Sequence, residues 1–256
     1  MPIFTILTIA ATGSEMDSVS VISDMSRNLK QVTESDYLKP KMSILNPEYT
    51  FSVPKSQTAA GVADIFSHIC ECYFNNVKGA MVQTRFAEGL FRTCIYYGPI
   101  ALCNPQDYEA RANLMWTASM AINGIISSGA EVGWSVHPIE HELSAFYDIT
   151  HGVGLAILTP FWMGYVLEKD SKTLGKFVEF GKEVWKIDNL DSEMAIAKES
   201  IRKTREFFMS LGLPSRLSEV NIDNTHFELM AKKAERSMGF IPLDKTDVLK
   251  ILYSAL

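Results

Sequence analysis

The chain has 256 residues, 47 % of them hydrophobic and 21 % charged, with a formal net charge of −6. That length can bury a large core without staples, and the composition excludes a disordered or fibrous chain. The acidic balance, with no long run of Lys or Arg, argues against nucleic acid and against an anionic membrane surface as partners.

The first 50 or so residues carry strand and turn signals. Residues 2–9 (PIFTILTI), 17–22 (DSVSVI) and 41–45 (KMSIL) alternate apolar or β-branched residues, punctuated by Gly13, Asp24 and Asn46-Pro47. A strand at the second residue, with no helix ahead of it, lacks the layer that normally covers an α/β sheet, so the chain is expected to begin midway through a domain.

From Pro54 the period becomes helical. Apolar residues recur at three-to-four spacing over 57–73, 83–94, 107–126, 153–167, 174–185, 194–211, 225–238 and 245–256. Asn104-Pro105, Gly212-Leu213-Pro214 and Gly239-Phe240-Ile241-Pro242 break these segments, and Asp191, Ser192 and Thr225 are candidate caps. The expected class is mainly α: an all-helical metal-binding domain at 53–256, preceded at 1–52 by a β-rich remnant of an α/β domain. Cys70, Cys72, Cys94 and Cys103 form no C-x-x-C pair and read as buried free thiols. No secretion signal and no apolar run of bilayer length occurs, so reducing cytoplasm is the expected compartment.

Chemistry concentrates in the histidines. Three of the five lie in WSVHPIEHELSAFYDITHG, as His137, His141 and His151. Asp64 and His68, four apart in a strongly helical segment, project from one face a turn apart and can bite one metal ion. The competing reading of that pair is a local cap and a satisfied core histidine. Pro138 suits the first helical position, which predicts His137 at the N-cap, and Thr150 can cap a helix with His151 at its mouth. His137, Glu140 and His141 also match the H-x-x-E-H spacing of inverted zinc peptidases, although Pro138 interrupts the regular helix which that motif needs.

Three blocks, ATGSEMDSVSVISD (11–24), TAAGVADIFSHICECYF (58–74) and HPIEHELSAFYDITHGVGLAIL (137–158), resemble the iron-containing (group III) alcohol dehydrogenase family, most closely its butanol dehydrogenase branch. The resemblance implies Asp64, His68, His137 and His151 as metal ligands and His141 as a nearby proton relay. It implies cofactor contacts for Thr8, Thr12 and Ser14 in LTIAATGSE, and by position for Lys30; Ile9 and Ala11 depart from that loop's usual threonine and glycine. It also implies Fe(II), with zinc as the competing ion, and NAD or NADP. The family's N-terminal α/β domain has a glycine-rich phosphate loop, but no G-x-G-x-x-G occurs here. The chain thus reads as the metal-binding part of an NAD(P)H-dependent alcohol dehydrogenase or aldehyde reductase for short aliphatic substrates such as butanol, with residues 1–52 the remnant of the dinucleotide-binding domain. Phe146, Tyr147, Phe161 and Trp162 are candidate walls for an aliphatic chain, and a homodimer is left open. The alternatives are a metal-binding or structural fragment without turnover and a zinc hydrolase using His137, Glu140 and His141.

Overall fold

The computed structural model describes residues 1–130 and 132–256. Among them, four short strands precede nine α-helices: β1 (Phe4–Ile6), β2 (Val19–Asp24), β3 (Leu29–Glu34) and β4 (Met42–Ile44), then α1 (Lys55–Tyr73), α2 (Met81–Cys103), α3 (Tyr108–Ile122), α4 (Val136–Tyr147), α5 (His151–Lys169), α6 (Leu174–Glu183), α7 (Glu193–Ser210), α8 (Phe227–Lys233) and α9 (Lys245–Ala255). No helix among the described residues is long and apolar enough to cross a membrane.

Helix α1 is the spine. Every residue from Thr58 to Tyr73 is buried, as expected of a helix apolar on nearly all sides, and α2, α3 and α5 pack around it. Phe66 anchors its far face among Phe91, Phe207 and Phe208, with ring centroids 4.7, 5.6 and 5.3 Å away. Each such ring is worth roughly 1.5–3 kcal/mol of burial. Helix α5 in turn packs on α1, α4, α7 and α9, so α1, α4 and α5 meet at the histidine cluster.

The β segment forms two separate pairs. β1 and β4 run parallel, with Thr5 donating to Ser43 at 2.7 Å, while β2 and β3 form an antiparallel hairpin from Val19 opposite Glu34 to Asp24 opposite Leu29. β3 carries no apolar alternation in LKQVTE and was not expected; pairing with β2 supplies the order that its own sequence lacks. Asp24 closes the turn, accepting from Ser26 N at 3.1 Å and Arg27 Nε at 2.6 Å. The hairpin lies against α4, and Lys233 Nζ donates to Asn28 O at 3.0 Å near its tip.

Several boundaries differ from the periodicity. α2 runs past Cys94 to Cys103 with Pro99 inside it, and α3 stops at Ile122. Ser192 caps α7 as expected, but His226 rather than Thr225 precedes α8, without a side-chain cap. Cys70, Cys72 and Cys94 are buried; Cys103 is exposed, because α2 ends at the surface there.

Candidate metal centre

Three elements meet at the site. Helix α1 contributes Asp64, His68 and Glu71, spaced four and three apart and therefore on one face. Helix α4 contributes His137, Glu140 and His141, and His151 is the first residue of α5. The approach of α5 depends on Gly152: a Cβ there would lie 2.0 Å from the Ala60 carbonyl oxygen. Gly13 does the same for the loop ahead of α1, where a φ of 74° and a Cβ position 2.4 Å from the Ala118 carbonyl leave room for glycine only. That loop is tied down by buried Glu15, which accepts from Ser119 on α3, and it brings Thr12 Oγ1 to donate to Asp64 Oδ2 at 3.2 Å.

Asp64, His137 and His151 each offer a ligand atom, all within 4.8 Å of one another. Asp64 Oδ1 is 3.8 Å from His137 Nε2 and 3.7 Å from His151 Nε2. Among the described residues, Oδ1 and His137 Nε2 are buried without a hydrogen-bond partner. His68 Nδ1 lies 3.1 Å from Oδ1, but it donates to the Asp64 backbone carbonyl at 2.9 Å and leaves that oxygen unsatisfied. A cation among these donors would satisfy them, and one carboxylate oxygen with imidazole nitrogens is a donor set that suits Fe(II) or zinc. The residues fit the ion. His68 stands beside the three-donor group, its ring centroid 4.5 Å from that of His137.

Each imidazole of that group is braced from behind. His137 Nδ1 faces Glu71 Oε1 at 3.2 Å, and His151 Nδ1 makes a very short contact with Glu140 Oε2. Burial alone would raise the Asp64 carboxyl, but His68, His137 and His151 overcome it and hold it well below the usual range. Burial likewise works against the His137 imidazolium, but Asp64 and Glu71 outweigh it and raise the ring to about 9. His141 goes the other way: burial, assisted by the charge of Lys30, lowers it to about 3.

The expected N-cap at His137 is not found. Ser135 holds that position without a side-chain cap, and His137 and Pro138 sit inside the first turn of α4. Proline is tolerated there because the first-turn N–H groups have no intrahelical partner. Thr150 does precede α5, though its side chain makes no cap bond. The peptidase geometry gains no support. Glu140, fully buried, accepts from Ser144 Oγ at 2.5 Å and from Lys30 Nζ at 3.4 Å, and its chain fills the space at Gly154, so it is not free to act as a base over an ion.

A cavity of about 740 Å³ opens onto the site between the hairpin and α4, lined by Thr12, Lys30, Val32, Trp134, His141 and His151 among others. Thr8 and Ser14 are exposed and outside its lining. Phe146, Tyr147, Phe161 and Trp162 do not line it either: Phe146 stacks on His226 at 4.8 Å, Tyr147 donates to Asp223 O, Arg205 covers Phe161 and Trp162 is core. Their helical positions turn them away from His137 and His151. Apolar lining comes instead from Val19, Val21, Val32 and Trp134.

Two family models match the chain: "Fe-containing alcohol dehydrogenase family, C-terminal" over residues 58–256, and "Iron-containing alcohol dehydrogenase" over residues 1–47. The chain belongs to the iron-containing alcohol dehydrogenase family. NADH-dependent butanol dehydrogenase A of Clostridium acetobutylicum is 56 % identical to it over 256 residues, which cover 98 % of this chain and 65 % of that protein. NADPH-dependent aldehyde reductase YqhD of Escherichia coli is 38 % identical, over 92 % of this chain and 60 % of that one. The crystal structure of NADH-dependent butanol dehydrogenase A from Thermotoga maritima superposes with a TM-score of 0.92 at 35 % identity, covering all of this chain and 66 % of that one. The chain thus spans 60–66 % of the length of these relatives.

Glu71 and Glu140, which brace His137 and His151, are the site's neighbours that the sequence alone conceals. Glu71 carried a usable signal, because it falls on the same helical face as Asp64 and His68.

Proposed function

We propose that the chain is the metal-binding part of an NAD(P)H-dependent alcohol dehydrogenase or aldehyde reductase acting on short aliphatic substrates such as butanol and butyraldehyde. Asp64, His68, His137 and His151 would hold Fe(II), with zinc as the competing ion. The observation that carries this reading is the buried, unpartnered pair of Asp64 Oδ1 and His137 Nε2, opening onto a cavity with apolar walls. The names of the relatives support the substrate class and the nicotinamide cofactor.

When bound, the ion supplies Lewis acidity to a substrate oxygen, and the nicotinamide supplies or accepts hydride. This chain's own groups do the rest. Thr12 steadies Asp64 from outside, leaving Oδ1 turned inward. Val19, Val21 and Val32 give an aliphatic chain an apolar wall. His141, beside His151 at a ring separation of 5.4 Å and lining the cavity, would serve as the proton relay that the family resemblance implies. Residues 1–52, with Thr8, Thr12, Ser14 and Lys30, are assigned to the dinucleotide side and residues 53–256 to the metal side.

Metal content and NADH-dependent butyraldehyde reduction, measured on this chain alone and joined to the upstream segment of a butanol dehydrogenase relative, test the reading. Bound metal with reductase activity in the joined protein is the expected result. A metal-free chain would sink it, and metal without reductase activity in the joined protein would leave a binding fragment.

A further inference from the structure

The cavity and its lining do not account for Glu71. This carboxylate is buried, on α1, and outside the cavity, so it cannot touch a substrate there. Its Oε2 accepts from Ser135 N at 2.8 Å; its Oε1 accepts from Val136 N at 2.7 Å and His137 N at 3.0 Å, and lies 3.2 Å from His137 Nδ1. One acid therefore satisfies the first amides of α4, for which Ser135 provides no side-chain cap, and also meets the ring of His137.

We infer that Glu71 is a positioning residue for His137: it fixes the ring with Nδ1 carrying hydrogen, so that the Nε2 lone pair faces Asp64 Oδ1 and a shared metal ion. This rests on the reading of Asp64, His137 and His151 as ligands. The chemistry follows from what a carboxylate can do. Ionised, it only accepts hydrogen bonds, so the ring nitrogen facing it must be the donor, and in the neutral imidazole that metal binding requires the other nitrogen is then the free base. That other nitrogen is buried with no partner among the described residues, 3.8 Å from Oδ1. Because Glu71 sits seven residues after Asp64 on one helix, a single rigid element sets both the carboxylate ligand and the direction of an imidazole 73 residues further along the chain.

The test is zinc affinity by chelator competition in the whole chain, wild type against Glu71→Gln, together with the imidazole ¹⁵N spectrum of the zinc-loaded proteins. Gln keeps the volume but only one acceptor oxygen, so it cannot serve both Ser135 N and the three donors gathered at Oε1, and its neutral amide draws far less strongly than a carboxylate on the His137 ring hydrogen. The expected result is a folded variant that binds zinc about 10–100-fold more weakly, and a wild-type His137 with hydrogen on Nδ1 and zinc on Nε2. Affinity within twofold of wild type, with the same ring form, would overturn the inference while leaving the metal reading intact. A wild-type chain that binds no zinc would overturn both. Should the variant not fold, the wild-type spectrum still decides: hydrogen on Nε2 of His137 would refute the assignment.

Discussion

Asp64 Oδ1 and His137 Nε2 face one another across 3.8 Å, both buried and neither hydrogen-bonded among the described residues. The gap is too long for a hydrogen bond. It suits two bonds of about 2.0–2.2 Å to a common ion. Binding to the folded state at 100 times the dissociation constant contributes roughly 2.7 kcal/mol, and so raises the melting temperature of a chain this size by roughly 5–10 °C. Calorimetry with added zinc should show that rise in wild type and none in Asp64→Ala. An equal rise in the variant would place the ion elsewhere.

Gly152 and Gly164 lie on the same helix and should respond oppositely to alanine. At Gly152 a Cβ would collide with the Ala60 carbonyl oxygen, pushing α5 and His151 away from α1; at Gly164 nothing lies within 4 Å. Gly152→Ala is expected to cost about 1–3 kcal/mol or more and to weaken metal binding. Gly164→Ala should gain roughly 0.5–1 kcal/mol through its better helix propensity. Urea denaturation of both variants separates them, and equal stabilities would show that α5 does not seat on Ala60 as described.

What was legible follows the range of the forces involved. α1 could be read because its burial is nearly complete and Asp64 and His68 break its apolar face at helical spacing. The histidines of α4 and α5 declared themselves by clustering. The start of α4 could not be read, since Glu71, from another helix, satisfies its first amides, and local cap rules see only neighbours. Pro99 concealed the second half of α2: it removes a single helical hydrogen bond, and packing on α1 and α3 carries the helix onward. Glu71 and Glu140 resemble ordinary helix-surface acids until tertiary contacts bury them.

Asp247 links α5 to α9 and makes stability depend on pH. It accepts from Tyr165 OH at 2.5 Å, from Lys169 and from Asp244 N at 2.8 Å. Burial would raise its carboxyl, but these donors prevail and lower it. Since the folded value is the lower one, its stabilisation is complete above the unfolded value, about 3.9, and is lost as pH falls through the folded value. Asp247→Asn should therefore cost about 1–3 kcal/mol at pH 7, with the difference from wild type shrinking below about pH 4. Urea unfolding of both proteins at pH 7 and pH 3.5 measures this, and a gap that widened in acid would contradict the assigned sign.

His141 decides between two positions for an ion, because His151 belongs to both donor groups, one with Asp64 and His137 and the other with Glu140 and His141. Glu140 already engages His151, Ser144 and Lys30, so the second group has no idle carboxylate, whereas the first has Oδ1 of Asp64. His141→Ala should accordingly leave metal content unchanged. If His141 relays the proton, kcat of the joined, metal-loaded protein should fall by about 10²-fold, the lower edge for such groups. Metal loss in His141→Ala would move the ion to the second group, and an unchanged kcat would remove His141 from the proton path.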